Sequence, residues 1–235
     1  MPWYLPPKSA AHGPSFKMLT SNVNGDNQQF PLQLRLIEKE NPDVIFIQEL
    51  SPGWKAALEA LRTTHPYNAV APRMDYFGLG LYSRYPLENV HIEDPVNSDV
   101  PVVRADALID GRRVHLLNVH LAPPEGPALT RLRYEQFRWM NDYVADIKGP
   151  LIAAGDFNCA MWSPLYEGLV RAGNLVNARK GHGILASWYP IAGRLHLIPI
   201  DQILGGGGVG FTDTHLGAPI GSDHCPLVTE IHLSE

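Results

Sequence analysis

Cysteine is nearly absent: 235 residues contain two, Cys159 and Cys225. That excludes a disulfide-stapled scaffold and a four-cysteine zinc site. The pair reads as two small, partly buried thiols, or as one disulfide between neighbouring loops if the protein is exported. Long hydrophobic runs are missing as well. No stretch approaches the roughly 18 consecutive apolar residues of a membrane span, so no stable membrane insertion is expected. Positive charge is scarce: 19 Lys and Arg face 24 Asp and Glu, for a formal charge of −5. A domain that coats nucleic acid usually carries a basic surface, and this balance argues against one. It leaves room for an enzyme that releases its product and brings a divalent cation to a phosphate. The opening "MPWYLPPKSAAHGPSF" has neither a basic start with an apolar stretch nor a small-residue cleavage site, so it is not read as a signal peptide. A soluble cytoplasmic location is expected, or a periplasmic or secreted one if an upstream leader or anchor has been removed.

What is present is ordinary globular chemistry, 45% apolar and 18% charged, in a chain long enough to bury one sizeable core. Residues 1–15 read as a Pro-rich arm and 16–235 as a single domain, expected to be monomeric. "FKMLTSNVN" predicts a first strand over 16–24. "QFPLQLRLIEKE" predicts a helix with Pro31 at its start, ended by Asn41-Pro42. "DVIFIQEL" reads as a central strand, and Ser51 as the cap of a helix opening with Pro52. "GLGLYS" reads as a further strand. Asp110-Gly111 between "VVRADALID" and "RRVHLLNVHL" signals a hairpin. Pro127 opens a long helix to about Ile147, with Leu129, Leu132, Met140, Val144 and Ile147 as its buried stripe. "PLIAAGDFN", "IPIDQILGGGG" and "PLVTEIHL" supply the last strands, with a helix from Pro164 between the first two. Gly205–Gly208 lack the Lys-Ser/Thr of a nucleotide-binding loop and read as a flexible turn. Together these give an α/β fold with two mixed, mostly antiparallel sheets face to face and helices outside.

Polar residues repeatedly end the apolar strands. Asn22 and Asn24 close the first, Glu49 the second, His120 and then Asp156 with Asn158 later ones; Asp201 interrupts another, and Asp223-His224 precedes the last. If those ends converge, carboxylates, amides and two imidazoles share one pocket. That set suits a hard cation working on a phosphate, because Mg²⁺ takes few carboxylates and keeps waters and phosphate oxygens.

The strings "SNVNG", "DVIFIQE", "LYSRYPL", "NVHLAPP", "GDFN", "IDQIL" and "GSDHCP" stand in the order and rough spacing of the endonuclease/exonuclease/phosphatase superfamily, which the chain resembles over 16–234. The resemblance implies a four-layer α/β/β/α sandwich, a Mg²⁺ or Mn²⁺ requirement and in-line cleavage of a phosphoester. It implies Glu49, Asn22 and Asp223 at the metal. His120, Asp156, Asn158, Asp201 and His224 become the catalytic set, with Asp156 aligning water and Asp201 orienting His224. Asn24 falls where abasic-site enzymes often carry Asp, and Pro199 where an Arg is frequent.

Each residue also has a plainer reading. His120 could be a satisfied core histidine, or else an acid or a phosphate donor. Asn24 fits a turn as well as ligand support. Trp188 could stack on a base or sugar, or anchor its loop. Arg131 could touch a phosphate, yet with Glu135, Arg138 and Asp142 it fits a solvated helix face. The paired histidines favour a DNA endonuclease, with DNA preferred to RNA as partner. The alternatives are hydrolysis of lipid head groups or small phosphoesters, and a non-catalytic binding domain on the same fold.

Overall fold

In the computed structural model, which describes residues 15–189 and 198–234, β1 (Ser15–Asn22) and β2 (Val44–Gln48) pair in parallel, Met18 opposite Val44 and Asn22 opposite Gln48. Parallel strands need a crossover, here α1 (Phe30–Glu40) with Pro31 in its first turn. Asn41 stops that helix in the left-handed conformation, φ 51°, which Asn tolerates better than most residues. α2 (Pro52–Leu58) starts as predicted, with the Ser51 hydroxyl accepting from the Trp54 N–H, but it gives way to a 3₁₀ turn over Glu59–Thr63. β3 (Tyr67–Ala71), β4 (Leu79–Ser83) and β5 (Leu87–Glu93) follow. Next come β6 (Val102–Ile109) and β7 (Arg112–His120), joined by the expected hairpin. Asp110 and Gly111 both have positive φ, 49° and 77°, the pair of values a type I′ turn requires. α3 (Gly126–Asp146) crosses over from β7 to the parallel β8 (Leu151–Asp156). The chain ends with α4 (Pro164–Ala172), β9 (Val176–Asn177), β10 (Asp201–Gly206), β11 (Val209–Leu216) and β12 (Leu227–Leu233).

The strand orders are β11-β12-β1-β2-β4-β3 and β5-β6-β7-β8-β10-β9. Each sheet holds one parallel pair at its centre and antiparallel pairs elsewhere. Strand alternation sorts the side chains into layers. Met18, Val44 and Phe46 of one sheet meet Val103, Ala105 and Ile152 of the other. On the outer faces, Leu19, Ile45 and Ile47 pack on Leu36, Ile37 and Trp54, while Leu117 and Val119 pack on Phe137, Met140 and Val144. This is the four-layer α/β/β/α sandwich.

Several details depart from the sequence reading. β1 starts at Ser15 and ends at Asn22, so Asn24 sits in the following turn, φ 57°. Apart from Ser15, the Pro-rich arm lies outside the described residues. Asp201 opens β10 instead of interrupting it, and Gly205 and Gly206 are strand residues. A Cβ on Gly205 would lie 2.5 Å from Val209 Cγ1 and 2.7 Å from Phe211 Cζ, and one on Gly206 2.8 Å from Leu175 Cδ2, so Gly205 makes room for β11 and Gly206 for Leu175; only Gly207 and Gly208 form the turn. The buried stripe of α3 is Arg133, Gln136, Phe137, Met140 and Val144, with Leu129, Leu132 and Ile147 only half-buried. Cys159 and Cys225 are both buried and are not joined to each other by a disulfide.

Candidate active site

In a parallel pair both C-terminal ends face one edge, and an antiparallel neighbour begins at that edge. Asn22 and Glu49 therefore lie beside the start of β12, preceded by Asp223 and His224. His120 and Asp156, opposite each other in register, lie beside Asp201, itself opposite Asp156. The two sheets bring these ends together.

Asp156 is at the centre. Its Oδ2 accepts from Asn22 Nδ2 at 3.0 Å, and His120 Nε2 and His224 Nε2 each stand 3.6 Å from the same oxygen. Its Oδ1 accepts from the Asn158 backbone N–H at 2.8 Å. Asn22 Nδ2 also donates to Glu49 Oε1 at 3.0 Å, and the Gly25 N–H donates to Glu49 Oε2 at 2.9 Å. Both imidazoles are held from behind. His224 Nδ1 donates to Asp201 Oδ2 at 2.9 Å, and His120 Nδ1 donates to the Tyr76 carbonyl at 2.9 Å. At 3.6 Å neither Nε2 has closed a hydrogen bond onto Asp156, so both remain available to a third group.

Burial sets the electrostatics. It opposes a charge on His224, but Asp201 and Asp156 outweigh it and push the imidazole up to about 10. Burial also drives the Asp156 carboxyl upward, against the pull of His224. For Asp201 the charge of His224, its hydrogen bond and that of Ser187 overcome burial and draw the carboxyl below its ordinary range. The result is a buried imidazolium between two carboxylates.

Three of the twelve non-glycine residues with positive φ among the described residues stand at the site. Glu49, Asn24 and Asn158 have φ of 58°, 57° and 47°. Asn accepts such values readily; Glu does not, and its left-handed turn costs about 1–2 kcal/mol. Gly155 has φ 134°, and a Cβ there would lie 2.0 Å from the Val119 carbonyl oxygen. Only glycine lets β8 carry Asp156 this close to β7.

Of the remaining expected residues, Asp223 accepts from Asn24 Nδ2 at 3.1 Å and from Trp188 Nε1 at 3.2 Å, so it ties two rim residues together. Trp188 also bridges backbone to Ile198 and His224 and is half-buried. Asn158 Nδ2 donates to the Leu121 carbonyl at 2.8 Å. Arg131 joins none of these contacts. It is exposed on α3, lining a groove of about 580 Å³ with Tyr134, Arg138 and Leu165.

Sequence reasoning missed Ser187, whose hydroxyl donates to Asp201 Oδ2 at 2.5 Å, and Tyr76, which acts through its carbonyl. No residue pattern announces a backbone acceptor. Gln48 and Asn118 were also missed: Gln48 Nε2 donates to Asn118 Oδ1 at 2.7 Å across the two sheets, both side chains fully buried. An amide inside each of two apolar strands was the available signal.

Asp156, Asp201 and His224 each bring a ligand atom within 4.8 Å of the others, and the acidic cluster can hold a divalent metal. A sequence profile of the Endonuclease/Exonuclease/phosphatase family matches residues 19–224. The chain belongs to that family. Its class of chemistry is phosphoester hydrolysis, and this member of the endonuclease/exonuclease/phosphatase family is a hydrolase. The structure of D. rerio TDP2 complexed with single strand DNA product is similar, with a TM-score of 0.75 at 16% identity over 93% of this chain and 99% of that one. Truncated Caenorhabditis elegans TDP2 gives 0.73 at 18%, over 93% and 98%. The Neisseria 3′ phosphatase NExo bound to a product DNA hairpin gives 0.75 at 20%, over 94% and 100%. At these identities the likeness is one of fold. No curated protein matches the sequence.

Proposed function

We propose that this hydrolase is a divalent-metal-dependent phosphodiesterase that cleaves DNA as an endonuclease, by in-line attack of water. The observation that carries the reading is the meeting of Asn22, His120 and His224 on one buried oxygen, Asp156 Oδ2. A purely structural carboxylate needs one good partner; this one has three polar groups turned towards it from three other strand ends.

The donor set fits a hard cation such as Mg²⁺ or Mn²⁺. Glu49 and Asp156 present carboxylate oxygens on either side of the Asn22 amide, and Glu49 is held by neutral donors alone. We assign Glu49 and Asp156 as the carboxylates that would hold it, with Asn22, whose Nδ2 donates to both, keeping them together, and Asp223 behind Asn24. The trio of Asp156, Asp201 and His224 is a poorer cage, because the His224 proton already occupies the space facing Asp201. Bound there, a cation supplies charge against the phosphate and lowers the pKa of water.

The chain's own groups do the rest. Asp156, fixed by the Asn158 N–H, aligns the attacking water and accepts its proton. His224 is kept protonated by Asp201 and directs Nε2–H at the charge that builds on the phosphorane oxygens. His120 points Nε2 at the same place, its Nδ1 proton committed to Tyr76. Asn24 and Trp188 form the rim against which the nucleotide rests. DNA complexes of the fold neighbours support a nucleic-acid substrate.

Incubation with supercoiled plasmid, RNA, bis-nitrophenyl phosphate and inositol phosphates, each with Mg²⁺, Mn²⁺ or chelator, tests the proposal. Nicking of plasmid that stops in chelator is expected. Phosphate release from inositol phosphates with the plasmid intact would overturn it.

A further inference from the structure

On the flank beside the seam, α3 carries a stripe of side chains that the site leaves unused. Arg131, Tyr134 and Arg138 are spaced i, i+3, i+7, so they share one face of the helix, the two arginines about 10.5 Å apart along its axis. All three are exposed, Tyr134 at 58%, and with Leu165 of α4 they line the groove of about 580 Å³. The alternating signs along this face predict pairs with Glu135 and Asp142. Neither pair closes: among the described residues Arg131 and Arg138 make no ion pair and no hydrogen bond, whereas on α4 Arg171 reaches Glu167 at 3.6 Å. Two guanidiniums against the single carboxylate of Glu135 make the groove locally positive in a chain of charge −5.

The inner face of the same turns is fastened to the site. Arg133 Nη1 donates to the carbonyls of Ala122 and Phe157, each at 3.1 Å, and Gln136 Oε1 accepts from the Ala122 N–H at 2.9 Å. Ala122 stands two residues after His120, and Phe157 stands between Asp156 and Asn158. The stripe is therefore held in fixed register with the reacting groups, towards the end of α3 that starts from their edge. An exposed ring between two free guanidiniums is a combination suited to single-stranded nucleic acid, where cations track the phosphates and the ring stacks on an unpaired base. The separation of the arginines corresponds to about three nucleotide steps at roughly 3.4 Å each.

We propose that the groove between α3 and α4 is a subsite for single-stranded DNA running on from the scissile phosphate, with its phosphates on Arg131 and Arg138 and one base stacked on Tyr134. This rests on the reading of the seam as a DNA-cleaving site. Phosphate contacts fix register and orientation, so the groove selects which bond of the strand reaches Asp156. A substrate with an unpaired stretch beside the cut is then preferred to a closed duplex.

The test measures binding apart from turnover, by fluorescence anisotropy of a labelled oligonucleotide of about 12 nucleotides in chelator, with plasmid nicking in Mg²⁺ assayed alongside. Arg131→Gln and Arg138→Gln are each expected to weaken binding and to flatten the slope of log affinity against log salt by about 0.7, and by about 1.4 together. Tyr134→Ala is expected to weaken binding about 5- to 100-fold with the slope kept, and Tyr134→Phe to restore it. The replaced side chains are exposed, so the variants should fold, which circular dichroism checks. Binding by the wild type without nicking, with the variants weakened as stated, keeps the subsite and overturns the cleavage reading. Nicking by the wild type with affinity and slope unchanged in every variant overturns the subsite alone. Wild-type affinity in Tyr134→Ala beside weakened arginine variants replaces the single strand by a duplex and overturns the proposal. So does a concentration-dependent dimer in sedimentation that Arg138→Gln breaks while DNA binding is untouched, which would give the groove to a second copy of the chain. Neither binding nor nicking by the wild type overturns both.

Discussion

His224 is charged at neutral pH because of what surrounds it, and that has a consequence for stability. Its folded pKa of about 10 lies above the ordinary 6.5 it regains on unfolding. The folded state therefore holds the proton more tightly, and the resulting stability is complete below about pH 6.5 and lost as pH rises through about 10. In chelator, the thermal midpoint of the wild type should fall more steeply between pH 7 and 10 than that of His224→Gln. Parallel curves would mean that the imidazole gains nothing from Asp201 and Asp156. In turnover, His224→Gln removes one oriented donor and should lower kcat about 100- to 1,000-fold, read from initial rates of plasmid nicking in a variant that still unfolds cooperatively. The carboxylates and imidazoles of the cluster were legible in the sequence because each closes, opens or shortly precedes an apolar strand, where a charged side chain has no packing role. Ser187 and Tyr76 were not, since one sits in a loop without periodicity and the other contributes only a carbonyl.

At the scale of elements, the two parallel pairs decide where the chemistry stands, and Gly155 decides how closely β8 follows β7. Gly155→Ala combines a positive φ with a Cβ 2.0 Å from the Val119 oxygen. Strain and clash together should cost about 2–4 kcal/mol. Gly111→Ala is the control, with φ 77° and nothing within 4 Å of its Cβ, and should cost only about 1–2 kcal/mol. Urea unfolding of both variants separates the two terms; equal losses would show that the approach of β8 to β7 relaxes freely. The central strands, the Asp110-Gly111 hairpin and the proline-started helices were readable because burial on both faces, turn chemistry and capping leave local marks. β3, β5, β9 and β11 left weaker ones. β3, β5, β9 and β11 are all edge or near-edge pieces: β5 is largely exposed, β9 has two residues, and β11 carries Thr212, Asp213 and Thr214 across a register shift. Such strands are specified by the neighbour they pair with. Arg133 was hidden for a related reason. Buried in α3, it donates to the Ala122 and Phe157 carbonyls, each at 3.1 Å, so its partners lie on loops that only the fold brings near.

Across the whole molecule the site is a seam. Asn22, Glu49 and His224 belong to one sheet, His120, Asp156 and Asp201 to the other, and the Gln48–Asn118 bond fixes the two in register just beneath. Asn118→Leu strands the Gln48 amide in the core at about 1–3 kcal/mol and should reduce activity beyond the unfolded fraction measured by circular dichroism. The proposed substrate is a polyanion and the chain carries a charge of −5, so on that reading the attraction would come from a cation seated at the seam. Such a cation binds only the folded state, because unfolding scatters Glu49, Asn22 and Asp156. At 100 times its dissociation constant it adds about 2.7 kcal/mol, or about 5–10 °C in the midpoint of a chain this size. Thermal scans with Mg²⁺ or Mn²⁺ against chelator should show that rise in the wild type and little of it in Glu49→Gln, whose amide keeps the shape and drops the charge. An equal rise in both would move the cation away from Glu49, to Asp156, Asp201 and His224. The proton on His224 Nδ1 would then have to leave for metal to enter, and the pair that Asp201 makes with His224 could not survive in the loaded enzyme.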